Sequence, residues 1–386
     1  MSVAEGTLTA PSSTASPVLD VARRFAEDRL RPFARTWEEA AGFPHDVLLE
    51  AADLGFAGLY VPREFGGSEM AVSDAARVFE GLGYGDPSFA GYLSVHNMCG
   101  RIIAEYGSEE QRAQYLPRLA AMEMQASYCL TESNGGSDPS ALRTRAVRSG
   151  DNYVINGNKC FITGAADAGV HLVVCRTIEE RTLLLLVPGG TAGLSWGESE
   201  AKMGWRTQPT REVHFSDVCT PVSARLGTEG DGLRIAFSGL NAGRLNIAAA
   251  SLGAAQWCLD RSISYSQERE TYGRTLSNHQ VIRFKIAEME MLLQTARAVL
   301  YDAARRGEVQ DPGFAHFAAI AKAVVTESAF RVIDEALQIH GGYGYIAGCG
   351  IEKMLRDVRV HRILEGTNEM MRIIVARSIL GRETYR

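Results

Sequence analysis

Between residue 17 and about residue 125 the apolar positions follow a helical period, interrupted by Gly and Pro turns. Ser16-Pro17 opens the first stretch, where the spacing of Val18, Val21, Ala22 and Phe25 predicts one buried face. Pro44 precedes a second helical stretch that stops at Gly55, residues 61–67 read as a loop, and Asp86-Pro87 caps a further helix. From about 126 to 235 the pattern shortens to that of strands. Residues 170–175, 183–187 and 211–215 are β-rich runs bounded by Gly, Pro and Asp, and 152–158 reads as a strand followed by an Asn-Gly turn. After Gly232 the helical period returns in long pieces. One stripe runs through Leu245, Ala248, Leu252, Ala255 and Leu259, another through Ile282, Ile286, Met289, Leu293, Ala296 and Leu300. Steps of three and four over several turns predict an antiparallel bundle.

The predicted fold is therefore α+β and multidomain. A disordered tail over 1–16 leads to an all-α domain over 17–125, a middle β-sandwich or barrel over 126–235, and a C-terminal helical bundle over 236–386. A chain of 386 residues has ample core for this.

Composition narrows the partners. The formal charge is -6 and the basic residues are scattered, which argues against nucleic acid and against an anionic membrane surface. No apolar run approaches the ~20 residues that span a bilayer. The first sixteen residues hold no Lys or Arg and match neither a secretory nor a transit signal, so a cytoplasmic protein is expected. Seven widely spaced cysteines with no Cys-x-x-Cys pair predict reduced thiols, with neither a disulfide framework nor a metal site.

Three segments carry candidate chemistry. Glu365 stands between the apolar pair Ile363-Leu364 and Gly366-Thr367, ahead of a helical segment. That placement suits a general base in a dry pocket, or equally a solvated residue at a helix mouth. The run 128–138 sets hydroxyls and the pair Gly135-Gly136 beside acidic residues, either a seat for a flat polar heterocycle or phosphate, or an Asx/Gly turn into a strand. Gln338 to Tyr345 closes a long helix running back to about Phe314, and its Gly341-Gly342 pair is first of all a C-cap. The run 227–232 resembles a phosphate loop only superficially, lacking a preceding strand and a following Lys-Ser/Thr. Rossmann and HExxH signatures are absent, which weakens nicotinamide and zinc-hydrolase readings.

Residues 129–141, Gln338 to Asp357, and Ile363-Leu-Glu-Gly-Thr-Asn-Glu369 together resemble the two signatures and the catalytic stretch of the acyl-CoA dehydrogenase family. The helix–strand–helix order agrees from about 17 to 383. The phrases 94–99, 202–211, 240–248 and 360–366 are most similar to the branch acting on short branched acyl chains. The resemblance implies bound FAD and α,β-dehydrogenation of a short-chain acyl-CoA, isobutyryl-CoA, in valine breakdown. It also implies a homotetramer built as a dimer of dimers, with electron transfer flavoprotein as electron acceptor.

It assigns roles residue by residue. Glu365 would take the α-proton, its own N–H would help hold the enolate, and Gly366 would leave that backbone clear. Tyr128, Leu130, Thr131, Gly136 and Ser137 would line the flavin ring, with Phe161 and Thr163 covering another part. Arg269, Tyr272, His279 and Gln280, with Gln338, Gly341 and Gly342, would hold the pyrophosphate and adenosine across a subunit interface. Thr367 and Glu369 would close the site, and Ser137, Asn241 and Arg244 would touch the substrate. Glu132 and Asp138 are expected to be structural. Some branches carry the base at the position of Gly243, which cannot serve here. Gly348, Cys349 and Gly350 replace an acidic, often proline-containing loop, and a more flexible segment is expected. Two other functions remain open: the same chemistry on another small acyl-CoA or acyl-carrier-protein thioester, and a DNA-binding flavoprotein of this fold that has lost dehydrogenation.

Overall fold

The computed structural model describes residues 16–381, so the tail over 1–16 lies, but for Ser16, outside the described residues. Six helices come first: α1 (Pro17–Phe25), α2 (Ala34–Glu39), α3 (His45–Asp53), α4 (Val72–Gly85), α5 (Pro87–Tyr106) and α6 (Glu109–Ala120). Local signals set several ends. Gly55, at φ 78°, follows α3, and the Asp86 carboxylate accepts from the N–H groups of Ser88 and Phe89 at the start of α5. One expected core residue is misplaced: Val21 is 45% exposed, although Ala22 and Phe25 are buried. The contact of α1 with α4 explains this. A Cβ on Gly81 would lie 2.6 Å from the Ala22 Cβ, and one on Gly85 2.8 Å from that of Ala26. Backbones this close share only a narrow stripe, and Val21 falls outside it.

The middle region holds β1 (Ala126–Cys129), β2 (Arg145–Ser149), β3 (Asn152–Thr163), β4 (Val170–Arg176), β5 (Thr182–Pro188), β6 (Leu194–Trp196), β7 (Thr210–Pro221) and β8 (Arg225–Leu226). The order is β6-β7-β3-β2-β4-β5-β8, with β1 parallel to β4. The two halves of this sheet meet only where Arg145 pairs with Arg176. Tyr153, Ile155, Val173, Leu185, Val213 and Phe215 fill the space between them. The other face of β4 and β5, with Leu172, Val174, Leu184 and Leu186, packs on Met98, Ile102, Ile235 and Leu240 of the helices. Strands buried on both faces read as unbroken apolar runs, as these do. The predicted Asn156-Gly157 turn is instead a bulge inside β3, which continues to Thr163. Gly157 adopts φ 147° and passes so close to Thr144 that a Cβ would sit 2.6 Å from its Oγ1.

The C-terminal part begins with the 37-residue α7 (Gly232–Glu268) and a small hairpin of β9 (Glu270–Thr271) and β10 (Arg274–Thr275). α8 (Gln280–Glu308), α9 (Phe314–His340), α10 (Gly342–Tyr345), α11 (Ile351–Arg359) and α12 (Asn368–Leu380) follow. α8 runs antiparallel to α9, as the pairs Lys285–Glu335 and Arg331–Glu288 show, and Met289, Leu293, Ala296 and Leu300 are its buried stripe. The 348–350 segment is a 3-10 turn ending at Gly350, which rests on the Arg31 guanidinium. Among the described residues no helix is long and apolar enough to cross a membrane.

A buried knot joins the three parts. Lys353 of α11 donates to Asp86 (3.1 Å) and Asp357 (2.6 Å), and Asp357 also accepts from the Trp205 N–H (2.6 Å). Lys353→Met leaves two buried carboxylates without their cation and should cost about 3–5 kcal/mol. A lowered denaturant midpoint with unchanged slope is the expected readout.

Candidate active site

Glu365 sits in the turn between a 3-10 segment (Val360–Arg362) and α12. Its backbone is left-handed, at φ 55°, and Gly366 follows at φ 90°. A non-glycine residue held there needs support from its surroundings. Two cations from different helices provide it. Arg244 of α7 donates from Nε to the Glu365 carbonyl (3.1 Å), and Lys322 of α9 donates from Nζ to the Gly366 carbonyl (2.8 Å). Thr367 then caps α12 by accepting from the Met370 N–H.

This turn presses the carboxylate against α7 at Gly243. A Cβ there would lie 2.5 Å from Oε2 and 2.8 Å from Oε1, so glycine at 243 makes room for the acid. Both oxygens are shut off from solvent and have no hydrogen-bond partner, although the residue as a whole is half-buried. Burial pushes the Glu365 pKa up to about 7, against the pull of Arg244 and Lys322. The expected cover from Ile363 is absent, since that side chain is 51% exposed. The turn points Ile363 outward while the acid faces the α7 backbone.

The residues expected around the flavin fall into two groups. Tyr128, on β1, donates from its hydroxyl to the Ala236 carbonyl of α7 (3.1 Å), and Asn241 accepts from Arg244 Nη1 (2.8 Å). The carbonyls of Leu130 and Thr131 are tied to β3, accepting from Lys159 Nζ and the Cys160 N–H. Phe161 lies just beyond, 66% exposed and at φ 58°, with Thr163 on the same strand. Gly136 and Ser137 lie on the exposed loop, and Glu369 is exposed in the first turn of α12. Glu132 is structural: it accepts from Lys159 and from the N–H groups of Arg143 and Thr144. Asp138 caps the short turn Pro139–Ala141.

The second group lies elsewhere. Arg269, Tyr272, His279 and Gln280 follow the far end of α7, and Gln338, Gly341 and Gly342 end α9. Arg269 stands 5.9 Å from the Tyr343 ring centroid, and His279 Nδ1 is 3.2 Å from Arg274. At a rise of 1.5 Å per residue, Arg269 lies roughly 38 Å along α7 from Arg244. All of the far group but the half-buried His279 is exposed, with Tyr272 at 95%, beside the outward Val281, Phe284 and Tyr345.

Three residues at the site escaped the sequence reading. Lys322 is wholly buried in a stripe of Ala318, Ala319, Ala321 and Val325, an anomaly that the helical spacing could have flagged. Asn246 lies one turn beyond Gly243, wholly buried, and its Oδ1 accepts from the Tyr60 hydroxyl (2.7 Å) while its amide nitrogen has no partner. Burial raises the Tyr60 pKa to about 12. No local pattern links Tyr60 to Asn246, which are 186 residues apart.

Residues 13–123, 127–218 and 230–380 match, in turn, the family models of the acyl-CoA dehydrogenase N-terminal, middle and C-terminal domains. The chain belongs to the acyl-CoA dehydrogenase family. The mitochondrial isobutyryl-CoA dehydrogenase of Dictyostelium discoideum is 44% identical, over 92% of this chain and 86% of that protein. Among solved structures, butyryl-CoA dehydrogenase from Megasphaera elsdenii superposes with a TM-score of 0.91 at 33% identity, covering 94% of this chain and 97% of that one. A glutaryl-CoA dehydrogenase from Mycobacterium smegmatis in complex with FADH2 gives 0.91 at 29% identity, covering 96% and 95%. Acyl-CoA dehydrogenases are flavoproteins, and this one has the family's three-part fold, a β-sheet domain between two helical ones.

Proposed function

We propose that this acyl-CoA dehydrogenase converts isobutyryl-CoA to methacrylyl-CoA, as a step in valine breakdown, with Glu365 as the α-proton base. The observation that carries the reading is the Glu365 carboxylate itself, buried, unpartnered and pressed onto Gly243. A thioester α-proton is weakly acidic, and a desolvated carboxylate whose pKa stands near 7 is matched to it far better than one in water. Glu365 takes that proton and leaves as the neutral acid, the form that its dry setting favours. Its backbone N–H, which makes none of the turn's hydrogen bonds among the described residues, is a donor for the developing enolate oxygen. Asn241 and Arg244 orient the thioester side of the pocket. The Tyr60–Asn246 pair lies one helical turn past Gly243. The likeness to isobutyryl-CoA dehydrogenases supports a short branched acyl group.

Bound FAD supplies the hydride acceptor for the β-carbon. The residues present fit that cofactor. Phe161 offers an exposed ring beside Thr131 and Thr163, and the exposed Arg269 is a cation for a pyrophosphate. With Arg269 roughly 38 Å along α7 from Arg244, Tyr128, Leu130, Thr131, Gly136, Ser137, Phe161, Thr163, Thr367 and Glu369 of one copy would hold each cofactor. Arg269, Tyr272, His279, Gln280, Gln338, Gly341 and Gly342 come from another. Such sharing calls for at least two copies; the homotetramer assembled as a dimer of dimers, and electron transfer flavoprotein as the electron acceptor, rest on the family likeness.

Anaerobic bleaching of the flavin by straight and branched C3 to C8 acyl-CoAs, with isobutyryl carrier-protein thioester as a further arm, tests the substrate. Isobutyryl-CoA should bleach fastest; preference for C6 to C8 chains or for the carrier protein would overturn the assignment. In the same assay the rate should rise with pH through an inflection near 7, because Glu365 must be ionised to act. A profile that is flat between about pH 6 and 8 refutes the base.

A further inference from the structure

We infer that Lys322 is a positioning residue for the catalytic base, locking the Glu365-Gly366 turn over Gly243 and serving as the counter-charge of the ionised carboxylate. This rests on the reading of Glu365 as the base. The lysine is wholly buried, and its ammonium donates to the Gly366 carbonyl (2.8 Å) and to Asn368 Oδ1 (2.9 Å). Asn368 is itself fixed, donating to Thr326 Oγ1 and Glu327 Oε1, and Glu327 is held by Arg372. The start of α12 is thereby bolted to α9 on one side of the turn, while Arg244 grips the preceding carbonyl from α7.

Helix capping alone does not account for a cation here. Thr367 already caps α12, and burying an ammonium costs several kcal/mol when an apolar residue of the same length would pack without it. The charge is balanced by the site. Burial depresses the Lys322 pKa to about 8, while Glu365 from the turn, Glu369 from α12 and Glu327 from α9 hold it up. Arg244 opposes them from α7, and His361, in the 3-10 segment before the turn, feels the lysine in return. Glu365 in turn faces Arg244 and Lys322, with Tyr60 and Tyr128 as neutral neighbours. Of the two cations, Lys322 alone holds the residue after the base.

The test uses flavin-loaded Lys322→Met and Lys322→Gln beside wild type and Glu365→Gln. The Met change removes bond and charge; the Gln change keeps an amide donor for the Gly366 carbonyl and decides the matter if the Met protein does not fold. The acid limb of the bleaching rate should move up by about one pH unit in both variants. The plateau rate should fall about tenfold in Met and less in Gln. A readout independent of turnover is the infrared carboxylic-acid stretch of Glu365, identified by its loss in Glu365→Gln, whose titration should move up by the same amount. Unchanged limb and unchanged stretch titration in a folded variant overturn the inference. Retained bleaching in Glu365→Gln would instead sink the base assignment, whatever the Lys322 variants do.

Discussion

Glu365→Gln should keep the yellow colour and acyl-CoA binding yet slow flavin bleaching by at least about a thousandfold. The amide has the shape of the acid and fits the space over Gly243, so fold and cofactor should survive. What it lacks is a lone pair basic enough to accept an α-proton, and the atoms nearest a Cβ at Gly243 are those of the Glu365 carboxylate. A stability measurement accompanies the kinetic one. Burial raises the folded-state pKa of Glu365 to about 7 from an ordinary 4.5, so the native state holds its proton over a pH range in which the unfolded chain releases it. Wild type and variant should then differ least below pH 4.5. Wild type should lose stability relative to the variant as the pH rises through about 7. Bleaching at a wild-type rate, or a stability difference of the opposite slope, would remove Glu365 from the role.

Gly243→Ala is the second large effect, and it leaves every titratable group in the chain in place chemically. The added methyl would stand 2.5 Å from Glu365 Oε2, closer than real contacts allow, so the carboxylate has to move. A displacement near 1 Å from the reacting geometry is enough to cost about a hundredfold in rate. Alanine is a better helix former than glycine, so α7 itself should not be weakened. The expected signature is a fall in the bleaching rate with a melting temperature that holds or rises. Equal loss of rate and stability would mean that the helix, and not the acid, was displaced.

Much of this architecture was readable because it is set by near neighbours in the chain. The stripe of Met289, Leu293, Ala296 and Leu300 depends only on a 3.6-residue period, and the Asp86-Pro87 cap on two adjacent residues. The strand runs at 170–176 and 182–188 announce their double burial by composition alone. The misreadings share one cause, which is that the deciding partner is distant. Asn156-Gly157 has the dipeptide of a turn, but pairing of β3 with β7 along its length carries the strand through it as a bulge. Val21 has helical spacing, but the close approach of Gly81 and Gly85 narrows the buried stripe.

The sequence by itself determined the order of helical and strand segments, the family signatures, and Glu365 as the acid to examine. Tertiary structure decided the setting of that acid: the Gly243 backbone beneath it, the left-handed turn, and the grip of Arg244 and Lys322 on successive carbonyls. It also decided that Arg269 and Arg244 are held apart by most of the length of one helix. The physical reason is range. Periodicity and capping act over a few residues, whereas desolvation of a carboxylate depends on every surface that closes around it. Those surfaces come from segments more than a hundred positions apart in the chain.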